Sequence, residues 1–279
     1  SRLDSLPIVD LPGVLMNDGH WECVFLMYGL LTNAYLTLSR LKSWDPALAK
    51  NEWVLPRALA VPLKACGDHL ERFPCLSYTS LVLYNWEVVG RDKAVLPVHT
   101  FSGTDDEDWF YRVHLRVESL LDPAWVAIAG FMKRLQDPQT VKETYLHALN
   151  DVAQAVENAS DVLPSMVTGC NPAVFNTFRQ WLSGSAGHTV IFEGCQGFRC
   201  VLPGASGAQS AFLQAVDAFI GVKHTHDIFG RSHNAKEHVE FLIDITRGSA
   251  LPNVLELHKY PDVVVAYNRC VAATCSFRR

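Results

Sequence analysis

Apolar residues recur at helical spacing through most of the chain beyond residue 108. Phe110, His114, Val117 and Leu121 fall at i, i+4, i+7 and i+11, on one face of a helix. A second helix is predicted over 126–135 and a third over 141–162, where Tyr145, Leu149, Val152 and Val156 form one stripe. A fourth covers 172–182; Asn171-Pro172 starts it and Ser183-Gly184 stops it. The glycine-rich turn at 204–207 leads into a helix over 208–222, and 262–279 closes the chain in helical pattern. The front region differs in texture: one helix over 21–41, then proline-punctuated extended segments such as V-L-P-R-A-L-A-V-P.

The polar stretch S-G-T-D-D-E-D at 102–108 separates the two parts. The expected fold is mostly α, with a small mixed α/β N-terminal domain at 1–103 and a large all-helical domain at 104–279. The acidic run at 105–108 suits a helix N-terminus, where carboxylates meet the positive end of the dipole; it is equally compatible with a solvated linker.

Composition narrows the class. Hydrophobic residues make up 49% of the 279 positions and charged residues 19%, which supports a well-buried core. A net charge of −5 provides no general attraction to nucleic acid or to an anionic membrane. The eight cysteines form no C-x-x-C pair and read as reduced, mostly buried thiols. No signal peptide opens the chain and no apolar run reaches 18 residues, so a cytoplasmic protein without membrane partners is expected.

Four features could carry chemistry. His114 sits on the apolar face of its helix, either as a core histidine or as an acid–base group over a ligand. Arg179 completes an i, i+3, i+4, i+7 stripe with Phe175, Phe178 and Leu182, so its guanidinium should point inward. There it would form an internal salt bridge or clamp a substrate carboxylate. The G-A-S-G-A-Q-S turn at 204–210 allows close approach of backbone to a ligand, but it has neither the Walker lysine nor the G-x-G-x-x-G spacing of nucleotide sites. His224, His226, His233 and His238 lie among Gly230, Arg231 and Asn234 and read as a polar loop; no H-E-x-x-H motif points to zinc.

In combination these segments resemble the indoleamine 2,3-dioxygenase family. The resemblance rests on W-V-L-P-R-A-L-A-V-P (53–62), S-Y-T-S-L-V-L-Y-N-W (77–86), W-F-Y-R-V-H-L-R-V-E (109–118), F-R-Q-W-L-S-G (178–184) and F-E-G (192–194). Its most specific piece is G-A-S-G-A-Q-S-A-F-L-Q-A-V-D-A-F-I-G-V (204–222), and A-Y-N-R-C-V-A-A-T-C-S-F-R (266–278) completes it.

The resemblance implies a helical haem domain with a small domain capping the distal side. It implies haem b as cofactor, dioxygen as co-substrate, and oxidation of an indole, with tryptophan converted to N-formylkynurenine. It places Arg179 on the substrate carboxylate, Phe110 on the indole, and Tyr78, Leu81 and Val82 on the pocket wall. Ser206 and Gly207 fall on the small-residue segment against haem and substrate, and Asp217 and Arg278 on polar supports of the haem's proximal side. A monomer or weak oligomer is expected.

Three departures stand out. His114 replaces the serine usual in the indoleamine enzymes and resembles the distal histidine of tryptophan 2,3-dioxygenases. Val174 replaces a phenylalanine one turn before Arg179. The family's proximal histidine follows the S-x-R segment by a few residues, and the stretch 241–266 is shorter than in the family. No histidine here takes the axial position by motif, so the metal ligand is unassigned: residues beyond those given are expected to supply it, the alternatives being an unusual iron ligand or the absence of haem. The alternatives are monooxygenation or another indole modification, a non-catalytic oxygen-binding haem protein such as the molluscan myoglobins that resemble this family, and a haem-free binding protein.

Overall fold

The structure, a computed structural model, describes residues 5–11, 13, 17–42, 52–134, 141–222, 232–248 and 259–278. Its longer helices are α1 (Asp18–Lys42), α2 (Arg57–His69), α3 (Asp105–Arg134) and α4 (Val141–Val162). The short α5 (Met166–Gly169) precedes α6 (Pro172–Arg179), α7 (Ala211–Ile220), α8 (Lys236–Gly248) and α9 (Pro261–Phe277). The strands are β1 (Glu52–Leu55), β2 (Trp86–Val89), β3 (Ala94–Pro97), β4 (Thr189–Phe192) and β5 (Arg199–Val201). The fold is mostly α, as the periodicity implies. Contacts divide the chain into two compact units that interleave in sequence. The first takes Ser1–Tyr111, Cys170–Gln209 and Ile228–Lys236; the second takes Arg112–Gly169, Ser210–Asp227 and Glu237–Arg279.

In the second unit the stripe Tyr145, Leu149, Val152 and Val156 is fully buried, and α9 packs along α4. Ala148, Ala155 and Ala159 on one helix and Ala266 and Ala273 on the other belong to the same core, and such small side chains let helices approach closely. Arg269 fixes the pair from the side, donating to both Glu157 carboxylate oxygens at 3.0 and 2.6 Å.

Two expectations need correction here. The separate helix over 126–135 is instead the second half of α3, which runs unbroken through Pro123; Leu135 lies outside the described residues. A proline inside a helix costs about 3 kcal/mol. Leu121, Ala124, Ile128 and Phe131 flank it, each buried to 4% exposure or less, and the three larger side chains gain about 1.5–3 kcal/mol apiece on burial. His238, expected in a polar histidine loop, lies instead in α8, whose Leu242 and Ile245 are fully buried in the core.

The first unit corrects the front region in the same way. Of the extended segments expected there, 53–55 lies in β1, but Pro56 then caps a helix and Pro62 lies within it. Ala58, Leu59, Ala60, Leu63 and Cys66 are all buried on that helix, which again offsets the proline. Strand β4 pairs in parallel with β1 and antiparallel with β5, with Leu55 beside Phe192. These two later strands were not anticipated. Trp21, Phe25 and Leu36 of α1 join Leu55, Val190 and Phe192 in one core.

All eight cysteines are free, as their spacing implies. Burial pushes the Cys66 thiol up to about 12 and that of Cys200 up to about 11, so both stay protonated and unreactive at neutral pH. No helix among the described residues is long and apolar enough to cross a membrane.

Candidate functional site

The first unit gathers most of the residues singled out above. Helix α6 begins as its sequence dictates: Asn171 caps it by accepting the Ala173 N–H at 2.8 Å, and Pro172 fills the first turn. The Asn171 N–H donates to Asp106 at 2.6 Å, tying this start to the first turn of α3. Phe110, one turn further along α3, therefore meets α6. Its ring centroid lies 5.3 Å from that of Phe175 and 5.6 Å from that of Phe178, and those two lie 5.3 Å apart at 89°. Such tilted and edge-on contacts suit the charge distribution of aromatic rings.

Arg179 ends the helix, and here the inward orientation expected from its spacing is corrected. The side chain is exposed, with its guanidinium 5.9 Å from the centre of the Phe175 ring. The cause is local. Helix α6 stops at Arg179 and Gln180–Leu182 turn as a 3₁₀-helix, so Leu182 no longer continues the α-helical stripe. The carbonyls freed at this helix end are met by α1. Thr37 and Arg40 donate to Gln180, each at 3.2 Å, and Asn33 donates to Trp181 at 2.9 Å. Arg179 thus sits on a firmly held backbone, and among the described residues it pairs with no carboxylate. Of the two readings left open by the sequence, the internal salt bridge is not formed among the described residues.

Tyr78, Leu81 and Val82 are buried. Thr79–Leu83 form a π-helical turn, in which the Tyr84 N–H reaches the Thr79 carbonyl at 3.2 Å. Single π turns of this kind occur often at functional sites. Ser77 donates to the His233 carbonyl at 3.2 Å and Thr79 to the Asn234 side chain at 3.0 Å. These two residues of the histidine-rich stretch thus support the turn. His233 also meets Phe73 edge-on at 5.6 Å.

Ser206 and Gly207 are exposed at the rim of the small-residue segment. A Cβ built on Gly207 would meet nothing within 4 Å, whereas one on Gly204 would stand 2.7 Å from the Leu182 carbonyl oxygen. The Ala205 N–H donates to that same oxygen at 2.9 Å. Gly204 is therefore needed for close approach to the turn after Arg179, and Gly207 leaves open space beside the rim.

An Asp and an Arg on the apolar faces of two helices should find each other or a propionate; in the second unit the buried Asp217 of α7 accepts a 2.6 Å bond from Arg278, just past α9. The Arg278 side chain remains 39% exposed. The α7 backbone is held by Gly221 at φ 85°, with the Val222 N–H donating to the Asp217 carbonyl at 2.8 Å. Ser210 donates to Glu118 at 3.0 Å. His114 belongs to this unit, half-buried on α3, four positions after Phe110 in sequence.

Among the described residues no group of three or more His, Cys, Asp or Glu side chains is placed to hold a metal ion. His224 and His226 lie outside them; His238 stacks on Trp125, 5.7 Å away. Two supporting residues were not anticipated. Buried Glu107 accepts the Phe101 N–H at 2.8 Å and the Ser102 N–H at 2.6 Å, and it is one cause of the raised Tyr111 phenol, second to burial. Gln209 ties the 204–207 segment to Tyr78. The only sequence signal for Gln209 was an amide among small residues.

The family model for indoleamine 2,3-dioxygenase matches residues 1–279. The chain is 26% identical to indoleamine 2,3-dioxygenase of Saccharomyces cerevisiae over 317 aligned residues, covering all of this chain and 67% of that relative. It is 26% identical to indoleamine 2,3-dioxygenase 1 of Mus musculus, covering all of this chain and 70% of the relative. It is also 26% identical to a myoglobin of Haliotis diversicolor, over 89% of this chain and 66% of that protein. The chain spans about two thirds of the length of these relatives.

Proposed function

This chain belongs to the indoleamine 2,3-dioxygenase family, and from that premise we propose that it oxidises tryptophan, or a close indole amino acid, by haem-dependent dioxygenation. The observation that carries this reading is the pairing of an exposed Arg179, which meets no carboxylate among the described residues, with the Phe110–Phe175–Phe178 cluster. An indole amino acid carries the two matching groups, a carboxylate and a large aromatic face.

The residues present fit a haem in two respects. In the second unit Arg278 is held by Asp217 yet keeps part of its side chain exposed for an anionic propionate; in the first unit, taken by itself, Gly207 leaves space beside the small-residue rim. When bound, haem b supplies the iron that activates dioxygen for addition across the indole C2–C3 bond, giving N-formylkynurenine.

The chain's own residues orient the substrate. The Arg179 fork grips the carboxylate through two parallel N–H···O bonds. Phe110 stacks against the indole, and Tyr78, Leu81 and Val82 form an apolar wall that excludes water. Ser206 and Gly207 offer a low rim along which substrate and cofactor lie. His114 is the catalytic group of this reading, on its likeness to the distal histidine of tryptophan 2,3-dioxygenases: an imidazole nitrogen that accepts the indole N–H would hold the ring in place. Val174, half-buried on α6, leaves more room beside Arg179 than the family's phenylalanine.

Mass spectrometry of the product tests the reaction class. Haem-loaded, reduced protein supplied with L-tryptophan and oxygen is expected to yield a product with two added oxygen atoms. A single added oxygen would replace dioxygenation by the monooxygenase alternative.

A further inference from the structure

Gln209 is the last residue of a 3₁₀ turn and is 8% exposed. Its Oε1 accepts two backbone N–H groups, from Tyr78 at 2.9 Å and from Ser206 at 3.2 Å. Its Nε2 donates to the Gly204 carbonyl at 3.0 Å. Two donors on one side and a carbonyl on the other fix which atom is oxygen and which is nitrogen. One side chain thus serves three backbone groups in two segments, one of them 131 residues from Gln209 in sequence. No shorter side chain spans them, and no carboxylate supplies the donor.

We propose that Gln209 is the positioning residue of the substrate site, locking the buried π-helical turn that carries Leu81 and Val82 to the small-residue rim at 204–207. This rests on the functional reading above, in which both segments face the substrate. The turn is also tied by Ser77 and Thr79 to His233 and Asn234, and the rim is tied to the turn after Arg179 through Ala205. Gln209 joins the two networks. Wall, rim and carboxylate anchor then share one hydrogen-bonded frame within the first unit. Without the amide the wall and rim slide independently, and the substrate loses a matched fit before the chemistry is touched.

Two variants separate the bonds. Gln209→Met keeps length and apolar volume but removes all three. Gln209→Glu keeps an acceptor for Tyr78 and Ser206 and sets a second acceptor against the Gly204 carbonyl. Hydrogen exchange at the Tyr78 and Ser206 amides is measured on the full chain, alongside KM and kcat for L-tryptophan on the haem-loaded protein. In Gln209→Met the buried Tyr78 amide is expected to exchange about tenfold faster or more, since a buried donor left unsatisfied loses at least that much protection, and the Ser206 amide at the exposed rim is expected to exchange faster by a smaller factor. KM is expected to rise about tenfold with kcat changed less than about threefold, the signature of lost binding alone. Gln209→Glu is expected to keep Tyr78 protected and to recover part of the KM. Unchanged exchange in Gln209→Met, or faster exchange with KM unmoved, would overturn the positioning role. Wild-type protein that turns over no indole would sink the functional reading instead, and the exchange rates then decide the lock by themselves.

Discussion

Replacing Arg179 by alanine is expected to raise the KM for L-tryptophan by about 10- to 100-fold and to leave kcat within a few fold. Hydrogen bonds to a charged group contribute about 1.5–3 kcal/mol, and every 1.4 kcal/mol is tenfold in affinity. The carboxylate is remote from the reacting C2–C3 bond, so the grip acts equally on ground and transition states and appears in KM. Arg179 is exposed and pairs with no carboxylate among the described residues. Its removal therefore leaves no buried countercharge, and the unfolding midpoint should hardly move. Arg179→Lys should recover only part of the loss, because an ammonium lacks the planar fork. Tryptamine, which has the indole but no carboxylate, should be insensitive to either change. An unchanged KM for tryptophan in the alanine variant removes the clamp assignment.

The second large effect concerns stability, in the core of the first unit. Arg72 pairs with Glu22 of α1, with the two side chains 1% and 10% exposed. The guanidinium lies between the rings of Phe25, at 4.8 Å, and Tyr84, at 5.4 Å. Replacing Arg72 by methionine removes the buried arginine that pairs with the Glu22 carboxylate and is expected to cost about 3–5 kcal/mol. The double variant Arg72→Met with Glu22→Leu should recover most of that loss, because the penalty lies in the unpaired charge and not in the missing pair. Urea unfolding of both variants tests this. A single variant within about 1 kcal/mol of wild type would mean that water reaches the pair.

Helix identity was legible where local pattern and tertiary burial agree. The stripe on α4 and the Asn171-Pro172 start of α6 are decided within a few residues, and both stand. The reading failed where distant partners outweigh local preference. Pro62 and Pro123 argue against helix, and only the cores assembled around them reverse that argument. Strand β4 is held by β1, 137 residues earlier in the register, which no local window contains. The inward orientation expected for Arg179 assumed an unbroken α-helix, and a 3₁₀ turn ends that assumption one residue later. Asp217 and Arg278 were legible as a pair because two charges on apolar helix faces require one another. Gln209 was not, since a short glycine-rich turn does not reveal what its amide reaches.

The most direct test is a spectral titration of the haem-loaded ferrous protein with L-tryptophan, first without oxygen and then with it. The expected result is a tryptophan-dependent shift of the Soret band, followed on admission of oxygen by the absorbance of N-formylkynurenine. Reversible oxygen binding with no shift and no product from tryptophan or any other indole would contradict the account and favour an oxygen-binding protein.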